Sequence, residues 1–143
     1  MTDFAMAPSQ AVTFENLEWD LTPPESAFVR SGTLDVSSLT QAQHYPNGYV
    51  LSGLVLAKNT VTNLLVPYIA AGANGAGTPY GLLRASVPVT RYGNGNRTKI
   101  GVACLAHGVV SSSKLPYTSG NAAAGGFIDA AGKTALNLIL WEA

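Results

Sequence analysis

Residues 49–57, YVLSGLVLA, form an apolar run that directly follows the turn signal YPNG of residues 45–48. A run of this length, bounded by Gly, Pro and Asn, is typical of a buried strand. A second run, KIGVACLAHGVV at residues 99–110, has the same character and follows a loop rich in Gly and Asn. These two runs predict a domain built from extended strands.

Shorter strand-like runs lie around these two. They occupy residues 28–34, 64–69, 80–89 and 137–142. Short strands separated by Gly, Pro and Asn favour a barrel or bent ribbon over alternating strand–helix units. Residues 127–136 are rich in Ala, with Asp129 near their start, which predicts one short helix. The expected fold class is therefore mainly β, with a short C-terminal helix.

The N-terminal part of the chain has a different pattern. Residues 12–21, VTFENLEWDL, alternate apolar and polar side chains with one shift of phase after Phe14, which predicts a strand with a bulge. Thr22-Pro23-Pro24 ends it, because proline has no N–H for a ladder. The segment is either an edge strand folded back on its own domain or an arm that adds to another protein's sheet. We divide the chain into a flexible arm with a docking strand, 1–27, and a β-rich domain, 28–143.

Charged residues are few and unevenly distributed. They make up 11% of the 143 residues, against about a quarter in ordinary soluble domains, so we expect partners to cover much of the surface. Residues 1–25 carry five acids and no base, and no acid lies between Asp35 and Asp129. The acidic lead can bind basic side chains of its own chain, of a neighbour or of another partner. The bases expected in inter-subunit or partner contacts are Arg84, Arg91, Arg97 and Lys99.

Several classes of function do not fit the sequence. The bases are too dilute for a nucleic-acid groove, and no stretch approaches the ~20 apolar residues of a membrane span. The first ten residues lack the pattern of a secretory signal. We therefore expect no nucleic-acid partner, no membrane partner and synthesis in a cytoplasm.

Candidate catalytic side chains are sparse. Cys104 has one base nearby in sequence, His107, but residues three apart on a strand point to opposite faces, so a buried structural Cys is favoured. His44 stands beside a turn and is predicted to be a solvated loop residue. Two His, one Cys and an acid-free middle leave little for a metal site. We expect no enzyme activity, no cofactor and no metal; a small hydrolase that uses Cys104 remains an alternative.

Residues 46–58, PNGYVLSGLVLAK, resemble the head decoration proteins of tailed bacteriophages, the lambda-type capsid-stabilising family. The resemblance continues through 66–68, 81–83 and 102–110, and it covers roughly residues 28–143. It implies a β-clip fold, a bent-ribbon partial barrel with an extended N-terminal arm. It also implies trimers on the outer surface of the phage head, where they stabilise the lattice of the major capsid protein.

The resemblance further implies that the N-terminal arm orders on docking and pairs with a capsid-protein strand. The side chains expected to dock are Val12, Phe14, Leu17, Trp19 and Leu21. The expected partners are further copies of the chain, as a homotrimer, and the major capsid protein, and the expected location is the virion surface. The sequence departs from the family in its longer, more acidic lead and in Gly132 within the helix. The alternative is another phage structural module, a tail or neck protein of similar β-rich oligomeric type.

Overall fold

The computed structural model describes residues 15–91, 95–117 and 124–143. The strands are β1 (Phe28–Asp35), β2 (Tyr49–Val50), β3 (Val55–Lys58), β4 (Leu65–Pro67), β5 (Pro79–Leu83), β6 (Val87–Pro88), β7 (Thr90–Arg91), β8 (Gly95–Asn96), β9 (Lys99–Ser111) and β10 (Ile139–Glu142). The helices are α1 (Gln41–His44) and α2 (Ala130–Ala135). The predicted mainly β fold with a short helix near the C-terminus is confirmed. Within the described ranges, no helix is long and apolar enough to cross a membrane.

The main sheet closes on itself. Its six strands follow the order β1-β4-β3-β5-β9-β10, and β1 also pairs with β9. The β1–β9 pairing therefore joins β1, β4, β3, β5 and β9 into a ring, with β10 added to β9. The β1–β4 and β9–β10 pairs are parallel, whereas the other pairs of this sheet are antiparallel.

The long strand β9 organises this ring. Its register with β1 shifts between Phe28 and Val29, which lie opposite His107 and Leu105, so β9 contains one extra residue at this point. A bulge of this kind bends a strand. It marks the place where β9 leaves β1, and the second half of β9 pairs with β10.

The apolar side chains pack into two clusters, one on each face of the sheet. Successive residues of a strand point to opposite faces, so Leu56, Leu83 and Cys104 enter one cluster while Val55, Leu82 and Leu105 enter the other. Strands that are buried on both faces have continuous apolar sequences. This arrangement explains the continuous burial of residues 54–57 and 104–106. The run 49–57 does not form one strand, because a turn separates β2 from β3, and the first half of β9 alternates exposed and buried residues.

Helix α2 is fixed to the second cluster by its N-terminal cap. The Asp129 carboxylate accepts hydrogen bonds from the Gly132 N–H at 2.7 Å and from the Tyr68 hydroxyl at 2.9 Å. Burial, with the bond to Asp129 and its charge, raises the pKa of Tyr68 to about 12. A Cβ at Gly132 would lie 2.7 Å from Ile128 Cδ1. Close packing therefore accounts for the glycine in this helix.

His44 is fully buried, so the prediction of a solvated loop residue is wrong. Its Nδ1 accepts from the Thr40 N–H at 2.9 Å, so Nε2 carries the proton and donates to the Gly125 carbonyl at 3.0 Å. The Tyr117 hydroxyl donates to the His44 carbonyl at 2.7 Å. Burial lowers the pKa of His44, opposed by the bond to Gly125. The neutral imidazole therefore joins α1 to distant parts of the chain.

Candidate docking surface

Residues 15–22, here called the strap, lie along the second half of β9. Asp20 pairs with Val110 in an antiparallel bridge, and backbone hydrogen bonds of 2.8 and 3.0 Å flank this pair. Further along the chain, β1 begins antiparallel to β9 with Phe28 opposite His107. The strap and β1 therefore run in the same direction along the same strand.

The strap and β10 occupy opposite edges of β9. The Gly108 N–H points to the Leu138 carbonyl beside β10, at 3.4 Å, whereas the Val109 carbonyl accepts from the Leu21 N–H at 3.0 Å. Consecutive residues of a strand direct their backbone groups to alternate edges. The strap thus supplies partners for an edge of β9 that β10 does not use.

Trp19 anchors the strap in the core. Its side chain is 1% exposed and belongs to the second apolar cluster. The indole Nε1 donates to the Ser52 hydroxyl at 3.2 Å, and that hydroxyl donates to the Asn16 carbonyl at 3.3 Å. A buried indole needs such a partner for its N–H. Trp19 is therefore unavailable to an outside partner while the strap stays in this position.

Two acidic side chains of the strap also contact the body of the same chain. The Glu15 carboxylate accepts from the Ser86 N–H at 3.0 and 3.2 Å and from its hydroxyl at 2.8 Å. The Asp20 carboxylate lies 3.8 Å from Arg84 Nε. Arg84 is thus placed against its own strap, in one of the arrangements that the charge pattern allowed. A partly exposed pair of this kind contributes about 1 kcal/mol at most.

The other three bases are not placed on the strap. Lys99 is exposed at the start of β9 and Arg97 is half-buried; among the described residues neither forms an ion pair. The backbone of Arg91 pairs with Gly95 between β7 and β8, and its side chain lies outside what the structure describes. Their roles in partner contacts stay predictions.

The predicted arm residues do not share one environment. Val12 and Phe14 lie outside the described residues. Leu17 and Leu21 are 45% and 44% exposed, whereas Trp19 between them is buried. The chain turns here, with the Asp20 N–H donating to the Leu17 carbonyl at 2.9 Å. The strand predicted for 12–21 does not form in its described part, because alternation along a sequence cannot reveal a turn.

Four large apolar side chains in the strap and at the start of β1 are exposed. Besides Leu17 and Leu21, the first two residues of β1 are open to solvent, Phe28 at 56% and Val29 at 37%. We call these four side chains the docking residues. Contiguous exposed apolar groups are typical of interaction surfaces, although Phe28 and Val29, as successive residues of β1, point to opposite faces of the sheet. The sequence prediction missed Phe28 and Val29, because it assigned residues 28–34 to a strand of the domain.

The candidate nucleophile is separated from its candidate base. Cys104 is fully buried while His107 is exposed, its ring donating to the Ser26 carbonyl at 3.0 Å. Burial raises the pKa of the Cys104 thiol to about 12, and only a thiolate is a strong nucleophile. The predicted burial of Cys104 is confirmed. In the described parts of the chain, no three metal-ligating side chains cluster.

Comparison with known proteins assigns no family. No family model matches the chain, and no curated protein matches it. A function is therefore inferred from the strap, the docking residues and the resemblance carried by residues 46–58.

Proposed function

We propose that the chain is a capsid decoration protein that forms trimers on the outer surface of a tailed-phage head and stabilises the lattice of the major capsid protein. The observation that carries this proposal is the strap. It is held to a closed β ring by the buried Trp19 indole and by backbone hydrogen bonds to β9, while it turns Leu17 and Leu21 to solvent. The resemblance of residues 46–58 to head decoration proteins supports the same function.

Docking would bury apolar surface that the isolated chain leaves open. Fully burying a Leu or Phe side chain contributes roughly 1.5–3 kcal/mol, and the docking residues are about half exposed, so each has about 1 kcal/mol to gain. Such contacts are weak in one copy. Three copies joined in a trimer bind together, which raises the overall affinity without any new contact.

The residues before the strap would add a second contact. Val12 and Phe14 lie three positions and one position before Glu15, which is on the surface against Ser86. In this proposal they pair with a strand of the major capsid protein, so that main-chain bonds give affinity and alternate side chains give specificity. Ordering this segment has a cost that the buried side chains offset.

Charge would contribute a smaller, salt-dependent part. Arg84 is engaged by Asp20 in the same chain, which leaves Arg91, Arg97 and Lys99 as the proposed basic contacts to neighbours or capsid. Exposed charges are screened within about 10 Å at 0.1 M salt. Head binding should therefore weaken moderately with added salt.

The proposal is tested by co-sedimentation with heads assembled from the major capsid protein of the same genome. Leu17→Ser/Leu21→Ser removes two outward side chains and leaves Trp19 in place. It should bind heads at least tenfold more weakly, since ~2 kcal/mol is lost per copy. Val61→Ser is the matched control, because Val61 is 72% exposed and lies between β3 and β4, outside the strap.

Three outcomes decide between the possibilities. Weaker binding by the double variant with normal binding by the control supports the docking role of the strap. Equal binding by all three proteins would remove that role. Wild-type protein that binds purified tails and leaves heads bare would favour the tail or neck alternative.

A further inference from the structure

We propose that the strap is exchanged between copies, so that residues 15–22 of one chain occupy the groove beside β9 of the next chain in the trimer. This inference rests on the trimer of the proposed function and adds which surfaces hold it together. Its occupant is a second copy of this chain. A cyclic exchange among three copies closes on itself and leaves no groove empty.

The contacts that hold the strap do not depend on which chain supplies it. Trp19 fills its pocket and bonds to Ser52, Glu15 accepts from Ser86, and the backbone pairs with β9. All of these contacts join the strap to the body. A strap from a neighbour would make the same contacts. In the closed form each chain holds its own strap, and in the exchanged form it holds a neighbour's strap. The two forms therefore differ mainly in the segment that connects strap to body.

That connecting segment is much longer than the closed form needs. Between Asp20 and Phe28 the chain advances eight residues, while the partner positions on β9 move only from Val110 to His107. At about 3.3 Å per residue, the chain could span roughly 26 Å where about 10 Å of strand is covered. The excess is looped out to the surface. From Thr22 to Phe28 the extended chain reaches about 20 Å, which is enough to enter an adjacent copy.

Little holds this loop in place. Residues 23–26 are exposed, and Pro23 has the extended backbone of φ −57° and ψ 138°. The loop contacts the body through the bond from the exposed His107 ring to the Ser26 carbonyl and through Ala27, which packs against the second apolar cluster. Opening therefore costs the burial of Trp19 and the hydrogen bonds of the strap to Ser52, Ser86 and β9, all of which the neighbour's groove restores. Subunits held side by side have effective concentrations in the millimolar range, which favours such an exchange.

A cysteine pair across the strap and β9 tests the exchange. Asp20 and Val110 form a bridge flanked by hydrogen bonds, the kind of antiparallel pair in which side chains are closest and a disulfide can form. Asp20→Cys/Val110→Cys is oxidised in solution and on heads, alkylated, and run on a denaturing gel without reductant. The buried Cys104 does not compete.

Disulfides that link two or three chains are the expected result. Disulfides confined to single chains, or thiols that stay free, overturn the exchange. Light scattering on the same sample separates the two proposals: trimers with disulfides inside single chains refute only the exchange, whereas a protein that is monomeric both in solution and on heads refutes the trimer as well.

A shortened linker is the second variant. Deleting residues 23–25 leaves enough chain for the closed form but cuts the reach between Thr22 and Phe28 to about 10 Å. In the cysteine-pair background this deletion should move the disulfides into single chains. Chains that remain linked to each other after the deletion would contradict the role given to the long linker. Each single-cysteine variant controls for random cross-linking.

Discussion

The indole N–H of Trp19 donates to the hydroxyl of Ser52, 33 positions later in the chain, at 3.2 Å in a buried setting. Ser52 belongs to the apolar run that carries the resemblance to decoration proteins, and Trp19 belongs to the acidic N-terminal segment. One hydrogen bond thus joins the acidic N-terminal segment to the apolar run at residues 49–57. The strap is consequently part of the core in the closed chain.

Replacing Trp19 should therefore reduce stability. Trp19→Ala should lower the free energy of unfolding by about 3–5 kcal/mol, since a large buried side chain is lost, and Trp19→Phe by about 1–2 kcal/mol, since the bond to Ser52 is lost. Urea denaturation followed by circular dichroism measures both. Leu17→Ala, at an exposed position of the same strap, should cost less than 1 kcal/mol. If Trp19→Ala lowered the free energy of unfolding by as little as Leu17→Ala, the anchoring role of Trp19 would be contradicted.

Two glycines of the ring should respond in opposite ways to an added methyl group. At Gly81 a Cβ would lie 2.7 Å from the Leu105 carbonyl oxygen, a backbone atom, whereas at Gly101 nothing lies within 4 Å. Gly81→Ala should cost about 1–3 kcal/mol through overpacking. Gly101→Ala should be neutral or stabilising, because it reduces the entropy of the unfolded chain. Equal effects in thermal unfolding would argue against the β5–β9 contact.

Stability should fall in mild acid because of His44. Burial lowers the pKa of His44 in the folded chain, so below the unfolded value of about 6.5 the unfolded chain binds the extra proton first. The stability that depends on neutral His44 is fully present above pH 6.5. It is lost as the pH falls toward the pKa of His44 in the folded chain. Urea titrations at pH 7.5 and 5.0 should show a decrease for wild type and a smaller one for His44→Gln. His107→Gln, at an exposed position, is the matched control, and an unchanged decrease in His44→Gln would refute the assignment.

Two truncations separate docking from folding. Deleting residues 1–14 removes Val12 and Phe14 and keeps Trp19, so this protein should retain the stability that Trp19 contributes and bind heads weakly. Deleting residues 1–22 also removes the indole from the core, so it should lose both binding and several kcal/mol of stability. Sedimentation with heads and urea denaturation measure the two effects. Undiminished binding after the shorter deletion would show that the first 14 residues do not dock.

The strands and the C-terminal helix could be predicted because their signals are local. The run at residues 99–110 and the Asp129 cap each act through near neighbours, and both appear in the structure as β9 and α2. His44 and Trp19 could not be placed in the same way. The burial of His44 depends on the Gly125 carbonyl, 81 positions away, and that of Trp19 on β9 and Ser52. Contacts at such separation leave no periodic trace in the sequence.

Cryo-electron microscopy of heads incubated with the full chain tests the proposed function most directly. Trimeric density at the three-fold positions, with Leu17 and Leu21 facing the major capsid protein, is the predicted result. Bare three-fold positions, with the protein unbound or attached to tails, would contradict it.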